Sequence, residues 1–258
     1  MSTTTTESYL SKPLVSRWAR PFAMARAAEE YERLAEALRG LEPQDWAAPT
    51  CCAGWDVRAM AGHCLGMATM MTTVRETMRQ QRLAGREAKR DGVALVDALT
   101  AIQVRENAHL TPRELVERMA DVGPRAVRGR RRVRGPMRWM TIPDEGDGTA
   151  AETWRMGFLV DTILTRDPWM HRTDIAVATG RPLHLTPGHD GAIVADVVAE
   201  WAARHGRPYH LVLTGPAGGE WDRAGDGVEQ IEADAVEFCR GVSGRTGASG
   251  LAGTWVPF

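Results

Sequence analysis

The sequence predicts a mainly α-helical chain that closes with a small α+β region. Three observations carry this. Apolar residues recur at three- and four-residue spacings through roughly the first 180 positions, the signature of amphipathic helices. Start and stop signals punctuate that pattern: Asp56, Thr111-Pro112, and Gly180 followed by Pro182. Beyond Pro187-Gly188 the texture changes to one more amphipathic helix and several short runs rich in β-formers. The expected organisation is an arm at residues 1–17, a helical bundle at 18–185 and an α+β domain at 186–258.

Length and composition narrow the classes. A chain of 258 residues can bury roughly three quarters of its unfolded surface. It is 43% hydrophobic and 25% charged with a formal net charge of −1, so no global field points to nucleic acid or a membrane. Its four cysteines, Cys51, Cys52, Cys64 and Cys239, form no CxxC pair and read as reduced cytosolic thiols rather than a secreted framework. The polar, Thr-rich start lacks the apolar core of a signal peptide. The most apolar long stretch, 192–203, contains Asp196 and Glu200 and is too short to span a bilayer. A cytoplasmic enzyme or binding protein with a small-molecule ligand is expected.

In chain order, the spacing of Ala27, Tyr31, Leu34, Ala35 and Leu38 predicts a helix over 21–41, ended by Gly40. A Pro-containing loop leads to Pro49-Thr50-Cys51-Cys52-Ala53-Gly54-Trp55-Asp56. Asp56 is placed to cap a second helix running to about Arg82, with Met60, His63, Met67, Met70 and Val74 on one face. A helical piece is expected around 93–102. Thr111-Pro112-Arg113-Glu114 carries both a capping box and Pro at the first helical position. The basic run Arg125, Arg128, Arg130, Arg131, Arg132, Arg134 and Arg138 reads as a solvated loop or strand, since Gly129 and Gly135 interrupt it and no aromatic is interleaved before Trp139. A polar turn over 143–148 precedes a long helical region over 149–178. After it come a helix over 192–204, strands at 209–214, 220–223 and 228–231, and a helix over 234–242.

Chemistry concentrates in Arg166-Asp167-Pro168-Trp169-Met170-His171-Arg172-Thr173-Asp174. On a helix, residues four apart are neighbours, so Asp167 and His171 could share one divalent metal. Two ligands are too few for a catalytic zinc, which takes three protein ligands and keeps a position open; His63 is the best third. Each has a plainer reading. His63 could be a satisfied core histidine. Asp167 followed by Pro could simply cap a helix beginning at Pro168. Asp174 could orient His171 or be a surface acid paired with Arg181. Cys64 points away from His63 and reads as core. Trp55 and Trp169 could line a pocket or fill the core. His109, His184, His189, His205 and His210 lack ligand-like offsets.

The stretch from Pro49 to Arg58, running on to His63, resembles a signature of the mycothiol-dependent maleylpyruvate isomerase family, within the DinB-like superfamily. Arg166 to Ile175 is similar to its second signature, and Asp234 to Arg240, running on to Arg245, to the end of its C-terminal domain. The resemblance implies a DinB-like four-helix bundle followed by a small α+β domain. It also implies a divalent metal, often zinc, held at His63, Asp167 and His171, with mycothiol as co-substrate. A late arginine tied to activity corresponds to Arg240 or Arg245. Asp167 stands where the isomerase pattern has Glu, so the shorter side chain calls for a closer backbone. The expected function is a metal-dependent isomerase or thiol transferase. The alternatives are a non-catalytic DinB-like module using the basic run, and a metal hydrolase that needs no thiol.

Overall fold

The computed structural model describes residues 12–144 and 152–258. The chain divides into two compact units. Trp18–Leu183 forms the first, and His184–Phe258 the second, with residues 12–17 grouped beside the latter.

The first unit is the expected four-helix bundle. Its members are α1 (Arg20–Arg39), α2 (Val57–Met70), a longer partner over Pro112–Arg130, and a helix over Leu164–Thr179 that carries the acid and imidazole. Met24, Leu34, Met60, Leu65, Met119 and Ile175 meet in one buried core. Two further helices, α3 (Val74–Asp91) and α4 (Leu95–Asn107), pack as a pair beside α2 around Met70, Leu99 and Ile102. The Pro112–Arg130 and Leu164–Thr179 helices are α5 and α6.

The second helix stops earlier than its apolar spacing suggests. Thr72 donates its hydroxyl to the Thr69 carbonyl at 2.7 Å, and the Thr73 hydroxyl accepts from the Glu76 amide and caps α3. Threonine hydroxyls offer the backbone local partners that compete with helix continuation. Thr77 then satisfies the Met70 carbonyl at 2.7 Å. Val74, predicted on the His63 face, instead begins a new helix and is exposed.

Two other readings are corrected. The basic run is not simply a loop or strand, because Arg125, Arg128 and Arg130 lie inside α5, which the Thr111–Glu114 capping box starts as expected. The long helix over 149–178 is not continuous either. Glu152–Arg155 (β2) pairs antiparallel with Thr141–Asp144 (β1). A helical turn at Met156–Phe158 and a π-type turn at Leu159–Ile163 then lead into α6. Trp154 packs edge-on against Phe158, which gives the strand a buried anchor. The 145–148 part of the predicted turn, and residues 149–151, lie outside the described residues.

The second unit follows the α+β expectation. Helix α7 (Asp190–His205) precedes a sheet of order β4-β3-β5, with β3 (Tyr209–Thr214) antiparallel to β4 (Gly219–Arg223) and parallel to β5 (Glu229–Asp234). Asp234 caps α8 (Ala235–Val242) by accepting from the Val236 and Glu237 amides. Trp201 forms the centre, touching His205, Tyr209 and Phe238, and its indole donates to the Leu251 carbonyl at 2.7 Å. Among the described residues, no helix is long and apolar enough to cross a membrane.

Close packing makes one glycine diagnostic. A Cβ at Gly129 would fall 1.7 Å from the Met71 carbonyl oxygen, so α5 runs against the break after α2. Gly129→Ala is expected to cost about 1–3 kcal/mol, read as a lowered thermal midpoint.

Acid sensitivity should arise at His205. Burial first, then Arg223 and Arg207, lower its pKa from 6.5 to about 4. Its Nδ1 accepts from the Arg207 amide at 3.0 Å, so the neutral ring carries its proton on Nε2. Between those two values the unfolded chain binds a proton that the folded chain refuses. Stability is therefore lost as pH falls from about 6.5 towards 4. In urea unfolding across that range, His205→Asn should show a shallower pH slope than the wild type.

Candidate metal centre

The site is assembled from two helices. Asp56 caps α2 by accepting from the Ala59 amide at 2.7 Å, and this start sets His63 about two turns in, facing inward. Helix α6 presents Asp167 and His171 one turn apart. His63 Nε2 lies 3.6 Å from Asp167 Oδ1, and His171 Nε2 lies 3.4 Å from the same oxygen. The three donor atoms all fall within 4.8 Å of one another, so they can hold one cation. His63 is 2% exposed and His171 6%, and their ring centroids are 5.1 Å apart. Trp55 flanks both rings, at 5.1 Å from His63 and 6.3 Å from His171. Trp169, by contrast, is fully buried core.

Electrostatics favour the anionic carboxylate. Burial raises the Asp167 pKa, but the facing imidazoles of His171 and His63 outweigh it and hold the group below the usual carboxylate range. Cys64 goes the other way. Burial first, then Asp167 and Asp174, push its thiol well above the ordinary range, so it stays protonated and packs in the core.

Asp174 is not the surface acid of the alternative reading. It is 1% exposed, and its Oδ2 faces His171 Nδ1 at 3.4 Å. Arg181 pairs with Asp45 instead, at 2.7 Å. An acid behind the ring orients a metal-ligating imidazole and fixes which nitrogen faces the cation.

The capping alternative for Asp167 also falls. Helix α6 begins at Leu164, so Pro168 lies inside it and Asp167 precedes it within the first turns. Proline has no amide hydrogen to donate to the carbonyl four residues back. Arg130 supplies the missing donor. Its Nη1 donates to the Leu164 carbonyl at 2.8 Å, its Nε to the Val160 carbonyl at 2.8 Å, and its Nη2 to the Thr165 hydroxyl at 2.7 Å. This guanidinium is fully buried, so Arg130 is lost to any docking surface built on the basic run. Arg138, from the same run, donates to the buried Asp161. A second buried tie joins α1 to α6: Arg172 Nε and Nη2 donate to Glu30 at 2.8 and 3.0 Å. Neither tie is visible in residue spacing. The one available signal was a proline inside a helical pattern, which demands a replacement donor.

The arginine candidates belong to the second unit. Arg240 sits in α8, is 6% exposed and has its Nε 3.3 Å from Glu237. Arg245 is half-buried and donates its amide to the Arg240 carbonyl at 2.9 Å. His210 lies near Glu220 at 3.7 Å.

Comparison with known proteins follows the same lines. The profile described as the mycothiol maleylpyruvate isomerase N-terminal domain matches residues 27–176, a span that includes His63, Asp167 and His171. A crystal structure of the mycothiol-dependent maleylpyruvate isomerase is similar in fold, with a TM-score of 0.56 and 14% identity over 89% of this chain and 90% of that one. A histidine-to-alanine mutant of that isomerase gives a TM-score of 0.53 at 14% identity over the same shares. No curated protein matches the sequence.

The exchange of donors at Pro168 can be measured. Arg130→Met should destabilise the chain by about 3 kcal/mol or more, because buried carbonyls lose their partners. Pro168→Ala returns an amide donor to Leu164. The same Arg130→Met change in a Pro168→Ala background should then cost less, by about 0.5–3 kcal/mol in a double-mutant cycle of urea unfolding.

Proposed function

Because the chain belongs to the mycothiol maleylpyruvate isomerase N-terminal domain family, we propose that it is a divalent-metal-dependent enzyme of thiol chemistry, a mycothiol-dependent isomerase or thiol transferase acting on a small molecule in the cytoplasm. The observation that carries the proposal is the convergence of His63 Nε2, Asp167 Oδ1 and His171 Nε2 within 4.8 Å at a buried position. Two imidazoles and one carboxylate suit zinc and leave room for a further ligand. When bound, the cation supplies the positive charge that deprotonates a thiol and polarises a substrate carbonyl.

The chain's own groups prepare that chemistry. Asp167 stays ionised at neutral pH because both imidazoles face it. Asp174 faces Nδ1 of the His171 ring at 3.4 Å, while Nε2 faces Asp167. Trp55 shields the two rings on one side and lowers the local polarity. Arg240 and Arg245 are the candidates for gripping a substrate carboxylate, a task suited to the planar guanidinium fork.

Metal content, measured by mass spectrometry on untagged protein, tests the reading. We expect about one equivalent in the wild type, lost in His63→Ala and in His171→Ala. Turnover should require both the metal and an added thiol. Wild-type protein that stays metal-free after reconstitution would overturn the proposal, and activity without thiol would replace it with the hydrolase.

A further inference from the structure

Beside the cluster just described lies a second group of metal-ligating side chains. One sulfur each from Cys51 and Cys52 and one carboxylate oxygen of Asp174 fall within 4.8 Å of one another. We propose that these three residues form a separate site for a thiophilic cation of the Zn2+, Cd2+ or Cu+ class.

The loop that carries the sulfurs is closed on itself without them. Pro49 bridges Asp56, and the Thr50 amide and hydroxyl both donate to the Trp55 carbonyl at 2.9 Å. The Thr50 hydroxyl accepts from the Cys52 amide at 3.2 Å, and the Trp55 amide donates to the Cys52 carbonyl at 3.0 Å. Gly54 takes a left-handed φ of 79°, which lets the chain reverse there. The third donor comes from the interior of α6. The donors are thus held by two independent pieces of structure before any cation arrives.

Access and chemistry fit. Cys51 is exposed and Cys52 half-buried, neither is in a disulfide, and Asp174 closes the buried side. A cation entering from solvent would release one proton from each thiol and meet two thiolates and one carboxylate, a donor set that selects soft metals over magnesium or calcium. Cys64 is no rival, because its side chain is packed in the bundle core.

Asp174 belongs to both clusters, since its Oδ2 also faces His171 Nδ1. Filling the sulfur site therefore alters how firmly His171 is held, and the two sites are coupled reciprocally. Only this coupling rests on the metal reading of the preceding section; the sulfur site stands on its own residues.

The test is a Cd2+ titration of the reduced full-length chain, followed by the ultraviolet thiolate-to-cadmium absorption and by total bound cadmium. Wild-type protein should develop the thiolate band with one equivalent more cadmium than Cys51→Ser/Cys52→Ser, which should lack the band. Asp174→Asn should weaken the band-forming step about 10–100-fold. Cadmium bound without a thiolate band, or a band that persists in the double serine variant, would overturn the site. The double serine variant also isolates the other cluster: cadmium still bound there, and lost on His63→Ala, supports the proposed function whatever becomes of the sulfur site. A double serine variant that binds no cadmium counts against that function alone.

Discussion

Helix α6 must carry Asp167, Pro168 and His171 in sequence, and the proline would ordinarily break it. A proline inside a helix costs about 3 kcal/mol, partly through the carbonyl it leaves unpaired. Here the buried guanidinium of Arg130 pairs the Leu164 carbonyl and, with its remaining donors, the Val160 carbonyl and the Thr165 hydroxyl. Tyr31 completes its surroundings. The rest of the bundle serves this contact. Arg130 ends α5, which the Thr111–Glu114 capping box starts and Gly129 allows to lie against Met71. Glu30 and Arg172 tie α6 to α1. A charge buried this deeply is tolerable only because each donor finds an acceptor.

That arrangement lets a side chain as short as aspartate reach both imidazoles. The backbone of α6 comes close enough to α2 for Oδ1 of Asp167 to lie within 3.6 Å of both imidazoles. The acid is pulled towards ionisation by those rings, while the neighbouring thiol of Cys64 is driven to stay neutral by the same burial. Two groups one shell apart thus take opposite protonation, and only one becomes a candidate ligand. Asp174 extends the pattern outwards, facing His171 on one side and the Cys51–Cys52 loop on the other.

Much of this was legible in the residues. Asp56 and Thr111 were readable as caps because their side chains bond to amides three positions on, a purely local geometry. His63, Asp167 and His171 were nameable because one pair shares a helical face and the third sits on an inward face. The break after Met70 was missed because the Thr72 and Thr73 hydroxyls compete with a helix that the apolar spacing continues. The strand at Glu152–Arg155 was missed because its partner, Thr141–Asp144, lies outside any helical or hairpin window. Arg130 was placed in a solvated loop or strand because charge density says nothing about which guanidinium finds buried acceptors.

By itself, then, the sequence determined the helical class, the caps, the change to α+β texture and the residue types able to hold a cation, since each depends on contacts within a few positions. Tertiary structure alone decided that Asp167 is inside its helix and not at its end, that Asp174 stands behind His171, and that the adjacent sulfurs face a buried acid. Those outcomes turn on distances between residues far apart in the chain, such as Arg130 and Leu164 or His63 and Asp167, and only packing sets them.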